Sequence, residues 1–204
     1  MNRPFEYVTF LRDPARRAIS SYYENLKTNP GIFSNTDGSL MSLEHSLDTM
    51  PNFFANQQTK MISGNITGDE LTETDLNLAI DNLKSYFAFI GITERFNESL
   101  LLLSKELNWR PCLYTNLNLG RENLEISEEA LERATNLNSL DYHLYDNASG
   151  ILNENISAQS DLFHEALSEW NTAMQSREDN PENQNSLVEF ADNILPTYLK
   201  FLNG

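Results

Sequence analysis

Cysteine, histidine and basic residues are all scarce in this chain. One cysteine in 204 residues, Cys112, excludes an intramolecular disulfide and a cysteine-based metal site. Fourteen Lys and Arg stand against thirty Asp and Glu, for a net charge of −16. That balance excludes general nucleic-acid binding, which needs extended positive potential to displace counterions. No apolar run approaches the length of a membrane span. What is present, 40% hydrophobic and 22% charged residues with eight glycines, is the composition of an ordinary globular protein. The length suits one sizeable core, or one domain with an appendage.

The charge is unevenly spread. Through Arg121 there are eleven basic and fourteen acidic residues, a balance of −3, and from Glu122 onward three basic and sixteen acidic, a balance of −13. Four of the arginines, Arg3, Arg12, Arg16 and Arg17, fall within the first seventeen positions. A local anion site therefore belongs at the front of the chain if it exists at all.

Tyr7 to Leu11 reads as a short buried strand of aromatic and β-branched residues bounded by a charged turn. Asp13 suits a helix N-cap and Pro14 the first helical position. Ile19, Tyr22 or Tyr23, and Leu26 recur at helical spacing until Asn29-Pro30-Gly31. A loop over 31–40 and helices around Ser42 to Thr49 and Asn52 to Ile62 follow. Thr72 to Leu83 is amphipathic, Tyr86 to Ile92 is a second strand, and Thr93 caps a helix with Phe96, Leu100, Leu103 and Leu107 as its inner stripe. Strand, helix, strand, helix implies an α/β layer with parallel pairing. Beyond Ser127 the pattern is helical and acidic to about Arg177, and after a polar break a short helix runs from Ser186 to about Leu202.

A strand ending in Arg and followed at once by a capped helix places ligands at the carboxyl edge of a sheet, where open α/β folds bind them. The helix start adds unpaired amides and the positive end of its dipole. Arg16 and Ser20, four residues apart, share a helix face. A phosphate there would take a guanidinium fork from Arg12 and a hydroxyl donor from Ser20. On patterning alone an equal alternative stands: Arg16 and Arg17 cover a solvated face while Arg12 pairs with Asp13 or Glu24.

The segment R-D-P-x-x-R-x-x-S, standing as Arg12 to Ser20, resembles the 3′-phosphate motif of sulfotransferases. There an Arg at the strand end and a Ser eight residues later hold the 3′-phosphate of phosphoadenosine phosphosulfate (PAPS). Three further segments, in order, resemble the family of heparan sulfate 2-O-sulfotransferase and its bacterial relatives. They are NQQTKMISG (Asn56 to Gly64), FAFIGITERFNESLLLLSKELNW (Phe87 to Trp109) and SEEALERATNLNSLDYHLYDNA (Ser127 to Ala148).

The resemblance implies a P-loop-like parallel sheet flanked by helices, with a helical C-terminal region: residues 1–148 a partial sulfotransferase domain, 149–204 an acidic helical extension packed on it. It implies PAPS as sulfuryl donor, no metal, and a hydroxyl acceptor, chiefly carbohydrate. It marks Arg12, Ser20 and Arg16 as donor-binding, Arg121 as a second charge on the 3′-phosphate from the stretch Tyr114 to Glu129, and Lys60 as a substrate-orienting cation. A cytoplasmic location, as in bacterial relatives, is expected.

Such enzymes place a strand, a loop for the 5′-phosphosulfate and a catalytic histidine ahead of this motif, whereas Met1 to Phe5 leads almost directly into it. The expectation is a chain incomplete at its N-terminus, with an exposed apolar edge on the first strand that favours self-association. Its own activity is left open, the alternative being a non-catalytic remnant or an acidic helical interaction module. His45, His143 and His164 do not align with the expected base and read as surface or core residues. Arg95 and Glu98 suit a local ion pair, and the Tyr22-Tyr23 pair suits either adenine stacking or the core.

Overall fold

β1 (Tyr7–Leu11) and β2 (Phe87–Ile92) lie side by side and parallel, the pairing that the alternation of strands and helices predicts. The computed structural model describes residues 7–67, 70–109, 114, 126–179 and 195–203. The register sets Thr9 beside Ile90, Phe10 beside Gly91 and Leu11 beside Ile92, with an irregularity between Tyr7 and Val8. Both strands therefore end at one level. Position 91 needs a glycine, because a Cβ there would lie 2.6 Å from the Phe10 ring of the neighbouring strand.

α1 (Pro14–Thr28) starts as its sequence dictates: Asp13 caps it by accepting the Arg16 N–H at 2.8 Å. It stops before Pro30, which opens a 3-10 turn over Pro30–Phe33. That turn and an antiparallel bridge between Ser34 and Leu40 occupy the stretch predicted as plain loop. α2 (Leu43–Thr49) is capped by Ser42. The single helix predicted around Asn52 to Ile62 is instead two, α3 (Pro51–Phe54) and α4 (Gln57–Ser63), broken at Asn56, which is left-handed with φ 47°. α5 (Glu73–Tyr86) carries a capping box between Thr72 and Asp75, and Tyr86 closes this helix rather than opening β2.

After β2 a 3-10 turn, Thr93–Arg95, precedes α6 (Phe96–Glu106). Thr93 opens the turn instead of capping the helix, and the turn re-phases the helix. Ser99 and Leu101 to Ser104 are buried, whereas of the predicted stripe only Leu103 is. α7 (Glu128–Leu137), α8 (Ser139–Ser157), α9 (Asp161–Asp179) and α10 (Leu195–Asn203) complete the described elements. The predicted start of the last helix, at Ser186, lies outside the described residues. The architecture is α/β, mostly helical with a small two-stranded parallel sheet. Among the described residues no helix is long and apolar enough to cross a membrane.

Two compact units make up the chain. The first comprises Met1–Glu94 and Glu125–Ser149, the second Arg95–Leu124 and Gly150–Gly204. In the first, α1 packs on α7 through small residues: Ala15 and Ala18 on one helix, Ala130 and Ala134 on the other, all essentially buried. Tyr22, Phe33 and Phe54 extend this core, with the Tyr22 and Phe33 rings 4.9 Å apart. In the second, α9 packs on α6 and α10. Buried Phe163, Trp170, Tyr198 and Phe201 fill it, and Lys105 lies 4.4 Å from the Phe201 ring centroid.

Candidate functional site

Because β1 and β2 end together, Arg12-Asp13 and Thr93-Glu94 leave the sheet from one edge. The Asp13 N–H donates to Glu94 Oε1 at 3.0 Å, and the Tyr145 hydroxyl of α8 donates to Glu94 Oε2 at 3.1 Å. Burial, then the Glu94 charge, pushes the Tyr145 phenol up to about 12. The start of α1 offers fewer free amides than its sequence suggested. Pro14 has no N–H, the Arg16 N–H is taken by the Asp13 carboxylate and the Arg17 N–H by the Asp13 carbonyl. An anion at this edge therefore depends chiefly on side chains, the Ala15 N–H being the amide of this turn that these bonds leave unused.

The main chain of Arg12 is held at two points. Its N–H donates to Gln58 Oε1 at 2.9 Å, and its carbonyl accepts from Gln58 Nε2 at 2.9 Å. One carboxamide thus satisfies both main-chain groups of the residue that follows β1. Gln58 sits in the first turn of α4, and that turn is itself capped from α8. Asp141 accepts the Gln58 N–H at 2.9 Å and the Thr59 N–H at 2.6 Å through its two carboxylate oxygens. Asn138 Oδ1 accepts the Asn56 N–H at 2.8 Å, and Asn56 Oδ1 accepts the Asp141 N–H at 3.1 Å. This exchange accounts for the left-handed Asn56 and for the break between α3 and α4.

Electrostatics divide the arginines. Arg12, Arg17 and Ser20 are half-buried, whereas Arg16 is exposed. Burial pushes the Arg17 guanidinium below its ordinary value; attraction to Asp141 opposes this and repulsion from Arg12 adds to it. Burial likewise pushes Asp141 up, against the hydrogen bonds from Thr59 and Gln58 and the Arg17 charge. Arg12, Arg17 and Asp141 therefore share one field, and Asp141 offsets one of its two cations. Among the described residues none of Arg12, Arg16 and Arg17 forms an ion pair, so the pairing of Arg12 with Asp13 or Glu24 weighed above is not found there.

Lys60 is half-buried on α4, and Arg121 lies outside the described residues. His45, His143 and His164 are all exposed. Tyr22 belongs to the core, with its hydroxyl on the Met41 carbonyl at 2.6 Å, while Tyr23 is half-buried beside it. In the second unit Arg95 and Glu98 form the expected pair through two contacts of 2.6 and 2.8 Å. Sequence reasoning missed Gln58, Arg17 and Asp141. Each sat inside a segment that resembled the family, but no local pattern shows that an Asp near position 140 caps a helix near position 58.

At this strand–helix junction stands an arginine whose main chain is clamped and whose side chain has no carboxylate partner among the described residues. The galactose-3-O-sulfotransferase family matches residues 2–160, and the chain belongs to it. Among similar proteins, human heparan-sulfate 6-O-sulfotransferase 3 is 28% identical over 194 residues, covering 80% of this chain and 41% of the relative. Chicken (Gallus gallus) heparan-sulfate 6-O-sulfotransferase 2 is 28% identical over 181 residues, covering 74% and 45%. Human heparan-sulfate 6-O-sulfotransferase 1 is 26% identical over 185 residues, covering 74% and 44%. The chain spans less than half the length of these curated relatives. What the motifs and the matches share is the sulfotransferase class, not the position sulfated: the motifs resembled 2-O enzymes, and the matches carry 3-O and 6-O names. No solved structure matches the chain significantly.

Proposed function

We propose that this chain holds the 3′-phosphate end of PAPS in a P-loop-like sulfotransferase that moves a sulfuryl group to a carbohydrate hydroxyl. The observation that carries the reading is Arg12: its main chain is clamped by Gln58 at the sheet edge, and its guanidinium has no carboxylate partner among the described residues. The names of the relatives, heparan-sulfate sulfotransferases, support a polysaccharide acceptor. When bound, PAPS would supply the sulfuryl group to an acceptor hydroxyl, giving the sulfate ester with adenosine 3′,5′-bisphosphate and the hydroxyl proton as the other products.

The chain's own residues bind and orient. Arg12 presents a planar fork to two phosphate oxygens, and Ser20, two turns into α1, donates its hydroxyl. Arg17 adds a half-buried positive field beside Arg12. Arg16, exposed, contributes long-range attraction only. Lys60 orients the acceptor.

Calorimetry with adenosine 3′,5′-bisphosphate tests the binding half. The 204-residue chain is expected to bind it, and Arg12→Ala is expected to weaken binding about tenfold or more, the effect of losing a charge-assisted contact. Absence of binding by the unsubstituted chain overturns the reading. Transfer of labelled sulfate from PAPS to heparan sulfate or to galactose-terminated glycans then reads activity and the position sulfated.

A further inference from the structure

Asp141 on α8 and Gln58 on α4 form a continuous polar path to the main chain of Arg12, and it is built where an apolar core would be cheaper. Asp141 is 1% exposed, Thr59 0% and Gln58 7%. A buried polar group left unpaired is costly; the Thr59 hydroxyl has no hydrogen-bond partner here, but the main-chain amides and the Gln58 carboxamide are paired. Here the bonds form one directed series. The Asp141 carboxylate takes the two amides that open α4, at 2.9 and 2.6 Å, and α4 presents the Gln58 carboxamide that fixes Arg12 N and O at 2.9 Å each. The sequence separations are eighty-three and forty-six residues, so the path joins three distant segments at one point.

We propose that Gln58 and Asp141 are positioning residues for the anion site: Asp141 anchors α4, and Gln58 sets the main chain of Arg12 so that its guanidinium meets the 3′-phosphate in register. This rests on the phosphate reading given above. Ala or Met at position 58 removes both bonds to Arg12. Asn at position 141 replaces one acceptor oxygen with a donor that faces an amide N–H.

The test compares adenosine 3′,5′-bisphosphate with adenosine 5′-monophosphate, which lacks the 3′-phosphate, on the full chain by calorimetry, with thermal unfolding in parallel. The unsubstituted chain prefers the bisphosphate, and Arg12→Ala abolishes that preference. Gln58→Met and Asp141→Asn are expected to reduce it about tenfold, the scale of a small misplacement of a binding group, while monophosphate affinity is retained. If Gln58→Met does not fold, Gln58→Asn, one methylene shorter, reads the same ratio. A lowered melting temperature with an unchanged ratio means a structural role alone and overturns the proposal while the phosphate reading stands. No preference in the unsubstituted chain overturns the phosphate reading and the positioning proposal together.

Discussion

The Gln58 carboxamide and the Arg12 main chain exchange two hydrogen bonds of 2.9 Å across forty-six residues of sequence. In stability terms the pair closes a long stretch of chain at the end of β1. Gln58→Ala strands a partly buried N–H and C=O at once and is expected to cost about 2–4 kcal/mol, from the usual penalty for each unmet group. Circular dichroism in urea is the suitable measurement. Both tryptophans, Trp109 and Trp170, belong to the second unit, so tryptophan fluorescence does not report directly on this one. An unchanged midpoint would mean that solvent replaces Gln58 at no cost.

α1 presents Arg17 and Ser20, and its position is set by close approach to α7. Ala18 and Ala134 are 1% and 0% exposed, with Ala15 and Ala130 equally buried. Ala134→Leu is expected to destabilise the protein by about 1–3 kcal/mol, the range for overpacking a filled core. Ala134→Gly, which adds no bulk, is expected to cost about 0.5–1 kcal/mol through helix propensity alone. Equal effects of the two would show that α1 and α7 separate easily.

The features legible in the sequence are those with local causes. β1, the Asp13 cap, Pro14 at the first helical position and the stop before Pro30 all follow from neighbouring residues, and each is found where predicted, although β1 is not the buried strand expected: Leu11 is buried while Tyr7 and Val8 are exposed. The parallel pairing of β1 with β2 followed from the alternation of elements. The break at Asn56 was not legible, because its cause is Asn138 and Asp141, more than eighty residues away. Nor was the choice between Arg16 and Arg17. The two are adjacent on one helix, and which turns inward depends on where α8 places Asp141. The inner face of α6 was misjudged for a similar reason, since a 3-10 turn resets its phase.

Gly91 and Phe10 make a second relationship that a substitution can read. A Cβ at position 91 meets three atoms of the Phe10 ring at 2.6 to 3.0 Å. Gly91→Ala must displace that ring and is expected to cost about 1–3 kcal/mol. In a Phe10→Ala background those three contacts are gone and the same change should cost less. A double-mutant cycle measures the difference directly, and additivity within about 0.5 kcal/mol would show that the ring already yields.

The buried carboxylate of Asp141 gives the protein a specific pH dependence. Burial raises its pKa above the ordinary 3.8, with the Thr59 and Gln58 hydrogen bonds and the Arg17 charge opposing but not cancelling the shift. The folded protein therefore holds this proton more tightly than the unfolded chain does. Between the ordinary value and the raised one, the folded state binds more protons, so stability falls as pH rises. The contribution is fully present below 3.8 and lost as pH climbs through the folded-state value. Asp141→Asn removes the titration. Melting temperature, taken as the unsubstituted protein minus Asp141→Asn, is expected to decline with rising pH just above the ordinary aspartate range and then to level. A difference that rises with pH in that window would show that the hydrogen bonds and Arg17 outweigh burial, and that Asp141 is held as a carboxylate more firmly than its burial allows.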